Sequence, residues 1–159
     1  MTTTTQYLQK LKQLQSRILD ETESIVYKNE REITSMNIQN IDEHLGSDGR
    51  ALININKKYS GRYTLATQLI ASTEKPIAPK IAGDFYNWTW TGDFISNFKV
   101  EVLPNKTQIE IFSTGTGSGL KKAFFDGYRN IYGLDKYDQE RLNYEIIYPE
   151  IMKFINQYI

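Results

Sequence analysis

The sequence predicts a single α+β domain with a long N-terminal helix, a long loop, a three-stranded antiparallel β-meander and two C-terminal helices. Three observations carry that prediction. Apolar residues recur at helical spacing from Thr5 to Met36 with no Gly or Pro among them. At Tyr86 the pattern turns to the alternation of a half-buried strand, and after "STGTGSG" at 113–119 helical spacing returns. With 159 residues and 18.5 kDa, the chain 1–159 is long enough to bury one sizeable core.

The first helix is expected over 5–36. Tyr7, Leu8, Leu11, Leu14, Ile18, Leu19, Ile25, Val26, Ile33 and Met36 repeat at steps of three, four and seven. The Thr run before them offers an N-cap. Such a helix would be roughly 48 Å long, more than a compact domain of this size needs. A helix this long often packs on a neighbouring subunit; the alternative is a break near Ser24 or Asn29 that gives two ordinary helices. "NIQNIDEHLGSDGR" (37–50) then ends it in a turn of Asn, Asp and Gly.

Residues 50–87 read as an extended basic loop. "KKYSGRYTLATQ" could form a short helix, and "TEKPIAPKIAGD" is broken by Pro76 and Pro79. A loop of that length is usually functional or ordered by a partner. The meander occupies 86–113: "YNWTW", "FISNFKVEVL" and "TQIEIFST" supply its strands, with "TGD" and "LPNKT" as turns. Leu120, Ala123, Phe124, Tyr128 and Ile131 then restore helical spacing. Asp135 can cap a last helix through Ile159, its apolar side formed by Ile146, Ile147, Ile151, Phe154, Ile155 and Tyr158. Pro149 should kink that helix or begin a new one at Tyr148. The C-terminal helices thus occupy 119–159.

Composition excludes more than it suggests. Nineteen basic residues balance nineteen acidic ones, so no global field favours nucleic acid or a membrane surface. Without Cys there is no thiolate chemistry and no Cys-based metal site. "MTTTTQYLQK" has no apolar core and no long apolar run follows, so a soluble, non-secreted protein is expected. "STGTGSGLKK" lacks the spacing and the hydroxyl of a phosphate-binding loop. His44, in "IDEHLGSDG", is the single histidine, which rules out a two-His metal set, and no GxSxG elbow is present. No catalytic, cofactor-binding or metal-binding residue is expected, and no cofactor.

Two sets of residues remain as candidates. Arg50, Lys57, Lys58, Arg62, Lys75 and Lys80 are opposed only by Glu74 over residues 50–80, and they interleave with Tyr59 and Tyr63. Such a stretch could face DNA or an acidic partner surface. Trp88 and Trp90 would share one face of a strand. Burying one indole side chain contributes at most about 5 kcal/mol, so a permanently wet pair is disfavoured. The pair is therefore expected to be a structural edge packed on the long helix or on a neighbouring subunit. Trp88, Trp90, Phe94, Tyr59 and Tyr63 are the candidate subunit-interface residues.

Taken in order, the long N-terminal helix, the "SDG" turn, "KKYSGRY", "WTGDF", a hairpin, "GYRNIYGL" and a C-terminal helix resemble the tail-completion or head-tail connector proteins of tailed bacteriophages, in a form like those of phages of Bacteroidetes. In that family a TG turn opens the β-meander, as Thr91-Gly92-Asp93-Phe94 would here, and Asn130-Ile131-Tyr132-Gly133-Leu134 looks like the link into its last helix. The acidic and aromatic Asp93 and Phe94 depart from the small basic residues usual after that turn. The resemblance implies a non-enzymatic structural protein of the virion neck or tail, assembled in the bacterial host cytoplasm. It implies six- or twelve-fold rings of identical subunits, contact with the portal or adjacent neck and tail rings, and non-specific contact with packaged DNA. Two other functions stay open: a small binding module for nucleic acid or carbohydrate using the Trp/Tyr-rich face, and a metal-dependent nuclease built from scattered carboxylates.

Overall fold

The computed structural model describes residues 4–56 and 60–157. Tyr59, Lys57 and Lys58 lie outside the described residues, as does Tyr158 of the expected final apolar face.

The N-terminal helical run comprises α1 (Thr4–Lys28) and α2 (Glu30–Asp42), joined by the single residue Asn29. Asn29 stands at φ −106° and ψ 15°, and its side-chain amide donates to the Ile25 carbonyl at 2.8 Å. A short polar side chain that takes a helical carbonyl competes with the backbone ladder, which is why the run falters here. Its amide nitrogen still reaches the Ile25 and Val26 carbonyls at 3.1 Å, and the Ile33 amide donates back to the Asn29 carbonyl at 3.0 Å. The helix therefore continues past a one-residue irregularity, and it ends at Asp42 rather than Met36.

The two parts are used differently. In α1 only Ile25 and Val26 are buried, whereas Tyr7, Leu8, Leu11 and Leu19 stay exposed. In α2, Ile33, Met36 and Ile41 enter the core together with Asn37. Asn37 is fully buried and satisfied at both ends: it donates to the Ile131 carbonyl at 3.0 Å and accepts from the Gly133 amide at 3.1 Å. It thereby clamps the "NIYGL" link, whose Ile131 and Leu134 are buried.

The sheet is smaller than the sequence predicts. Among the described residues it has two antiparallel strands, β1 (Phe98–Val102) and β2 (Ile109–Ser113), with Val100 opposite Ile111. Phe98, Val100, Ile111 and Ser113 face inward while Lys99 and Glu101 face out, so one face is covered, as alternation requires. The amides of Val100 and Val102 donate to Glu30 Oε1 at 3.2 Å and to the Tyr27 hydroxyl at 3.4 Å. Side chains of the helical run thus occupy the edge a third strand would have used.

That third strand, "YNWTW", does not form. Trp88 has φ 57°, in the left-handed region, and a strand cannot pass through such a residue. "FISNFKVEVL" also divides: Asp93–Ser96 forms a one-turn helix, α4, and only its second half is strand. The "TGD" turn therefore opens a helical turn through Gly92 at φ 81°, not a strand.

A helix, α3 (Leu65–Glu74), stands within the segment read as a loop, capped by Thr64, whose hydroxyl accepts from the Thr67 amide. After β2, a 3-10 turn (Thr114–Thr116) leads to α5 (Gly119–Asp126). The last helical run starts at α6 (Lys136–Arg141), capped by Asp135, whose Oδ1 accepts from the Asp138 amide at 2.8 Å. It widens into a π-helical turn over Leu142–Ile147 and resumes as α7 (Tyr148–Asn156). Pro149 in the first turn of α7 supplies no N–H, and the wider turn just before it accommodates the interruption. The α7 segment packs along α1, with the Arg17 guanidinium 5.7 Å from the centre of the Phe154 ring. No described helix is long and apolar enough to cross a membrane.

Candidate functional site

The residues that the strand prediction would have aligned are arranged instead around one side chain, Asn87. Its Oδ1 accepts from the Tyr63 hydroxyl at 2.8 Å, from the Thr89 hydroxyl at 3.0 Å and from the Lys80 ammonium. Its amide group donates to the Pro79 carbonyl at 3.0 Å, and its backbone N–H donates to the Tyr63 oxygen at 2.9 Å. Segment 60–90 is further tied by the Tyr63 amide to the Asp84 carbonyl and by the Ala82 amide to Gln68 Oε1 at 2.7 Å. These local bonds replace a strand ladder and fix the turn that sets Trp88 at positive φ.

The two tryptophans consequently part. Trp88 is buried in a cluster of rings, edge-on to Tyr128 at 4.8 Å and within 5.8 Å of Phe124. Phe94, 2% exposed, stacks on Phe125 at 4.1 Å in the same cluster. Both were interface candidates from the sequence; both belong to the chain's own core. Trp90 is half-buried and gives its indole N–H to Glu74 Oε2 at 3.1 Å. Tyr63 is half-buried, 4.9 Å from Tyr86, and desolvation raises its phenol pKa above the usual value.

The described basic candidates differ in their settings. Arg50 is exposed, and Lys75 caps α3 with a left-handed backbone. The Arg62 guanidinium lies 3.7 Å above the Phe85 ring and donates to the Gly83 carbonyl at 2.6 Å. Lys80 is 3% exposed, and burial lowers its pKa below that of an ordinary lysine. Lys80 therefore does not present its charge on the outer surface. Beside it opens a cavity of about 430 Å³, with Tyr63, Tyr86, Trp88, Trp90 and Phe124 in its walls.

Segment 50–87 also carries an apolar surface that composition did not reveal. On α3, Leu65, Leu69 and Ile70 point outward and Ala71 is the buried residue. With Ile53, Ile55, Ile77, Ile81 and Phe85 these side chains are between 45 and 72% exposed. The spacing of Leu65 and Leu69 was legible in the sequence, but not that the helix turns them away from the body. A compact 18.5 kDa monomer exposes about 8,200 Å²; this chain exposes 10624 Å², an excess of roughly 2,400 Å².

Among the described residues no three His, Asp or Glu side chains stand together as a metal site. Comparison with models of known families, with characterised proteins and with solved structures gave no match.

Proposed function

We propose that the chain is a structural subunit that assembles with copies of itself into a ring, in the neck or tail of a tailed phage, joining the portal-bearing head to the tail. The observation that carries this reading is apolar surface left uncovered on two different elements, the N-terminal part of α1 and the α3 face of segment 50–87. A ring needs two unlike patches per subunit, because each copy meets its neighbours head to tail. A standard interface takes about 800 Å² from each partner, so two of them match most of the roughly 2,400 Å² excess. The neck assignment rests on the order of sequence motifs that resemble head-tail connector proteins; the ring rests on the surface.

Native mass spectrometry over a concentration series, with and without the phage's portal protein, tests the reading. A closed hexamer or dodecamer, formed alone or on the portal, is the expected result. A chain that stays monomeric at every concentration and ignores the portal overturns it.

A further inference from the structure

A lysine in a protein normally meets a carboxylate or extends its ammonium group to water. Lys80 does neither. The residue is 3% exposed, and among the described residues its Nζ hydrogen-bonds to neutral oxygens alone, Asn87 Oδ1 and, at 3.4 Å, the Thr89 hydroxyl. It also lies 5.5 Å from the centre of the Tyr63 ring. Burial lowers its pKa, and among the described residues no carboxylate pairs with it.

The cavity that Lys80 lines is also lined by Trp88, whose indole N–H is buried with no hydrogen-bond acceptor. Trp88 further holds a left-handed backbone, a costly conformation for so large a residue and one that concentrates at binding sites. An uncompensated cation, a donor without an acceptor and aromatic walls around about 430 Å³ describe a site built for a ligand.

We propose that this cleft binds a small planar aromatic carboxylate, its carboxylate paired with Lys80 and its ring held among Tyr63, Tyr86, Trp90 and Phe124. Charge sets the class. One buried ammonium neutralises one negative charge, and a phosphate dianion would keep a second charge in an apolar cavity. Lys121 at the rim does not supply the balance, since it already pairs with Asp93 at 3.5 Å. A sugar fits no better, because the wall hydroxyls are engaged: Tyr63 with Asn87, and Thr67 with Thr64 at 3.0 Å. The site does not depend on the ring assignment.

The test uses the whole chain and four probes: 2-naphthoate, its neutral isostere 2-naphthamide, glucose and adenosine monophosphate. Calorimetry and tryptophan fluorescence read binding. The naphthoate is expected to bind about tenfold more tightly than the amide, the contribution of one charge-assisted hydrogen bond. Lys80→Met should remove that preference while leaving amide binding in place. Thr67→Trp, which fills the cleft from α3, should abolish binding of both and serves if the Lys80 variant does not fold. Equal affinity for acid and amide, no binding at millimolar concentration, or tighter binding of glucose or the nucleotide overturns the proposal.

Discussion

Asn87 shows how one side chain can redirect a segment. Its Oδ1 receives three side-chain donors, and the ladder expected of "YNWTW" is lost to those bonds. Lys80 is the costly member of that group. Replacing it with Met leaves Asn87 Oδ1 with the Tyr63 and Thr89 hydroxyls, so Lys80→Met should hold stability constant or raise it by about 1 kcal/mol. The pH dependence has a definite sign. Lys80 titrates lower in the folded chain than the ordinary 10.5, so between the two values the unfolded chain binds more protons and stability rises with pH. Below the folded value the penalty of the buried charge is fully present and the slope vanishes. Urea unfolding of wild type and Lys80→Met across the alkaline range below pH 10.5 should show the wild type gaining stability on the variant as pH rises, since Tyr63 and Tyr132, both raised, titrate alike in the two proteins.

Gly115 is decided by contact rather than by dihedral angle. A Cβ there would stand 1.9 Å from the Asp93 carbonyl oxygen and 2.8 Å from the Phe94 amide nitrogen, both backbone atoms that cannot rotate aside. Gly115→Ala should therefore cost more than about 3 kcal/mol, read as a lower urea midpoint, by forcing α4 away from the 3-10 turn.

At the scale of elements, α1 and α3 share an unusual property: each is amphipathic, and each leaves much of its apolar side in solvent. The part of α1 before Ile25 meets α7 through Arg17 and Phe154 but leaves Tyr7, Leu8 and Leu11 uncovered. Leu8→Glu and Leu69→Glu, one on each helix, should change monomer unfolding by less than about 0.5 kcal/mol, because neither side chain is buried. Each should nonetheless block assembly, seen as monomer in sedimentation velocity where the wild type is larger. A fall in monomer stability of several kcal/mol would mean that the face is packed within the chain.

The whole molecule exposes more surface than its mass requires, and that excess is an argument about association rather than about fold. A subunit stabilised by its neighbours melts at a temperature that depends on concentration. The thermal midpoint is expected to rise across a hundredfold dilution series read from dilute to concentrated, and the rise should disappear in Leu69→Glu. A midpoint independent of concentration would return the protein to a monomeric description.

The sequence by itself determined what depends on local periodicity and capping: the long N-terminal helical run, the helical C-terminal region, the Asp135 cap, the interruption at Pro149 and the β1–β2 hairpin. Those features follow from residues a few positions apart, and spacing expresses them directly. The tertiary structure alone decided the rest. Side-chain bonds from Tyr63, Lys80 and Thr89 to Asn87, up to 24 residues away in the chain, removed the third strand, burying Trp88 and leaving Trp90 half-buried. It also buried Lys80 among neutral oxygens and turned Leu65 and Leu69 away from the body. Period-two and helical spacing say which residues share a face, but which face meets the core depends on partners distant in sequence.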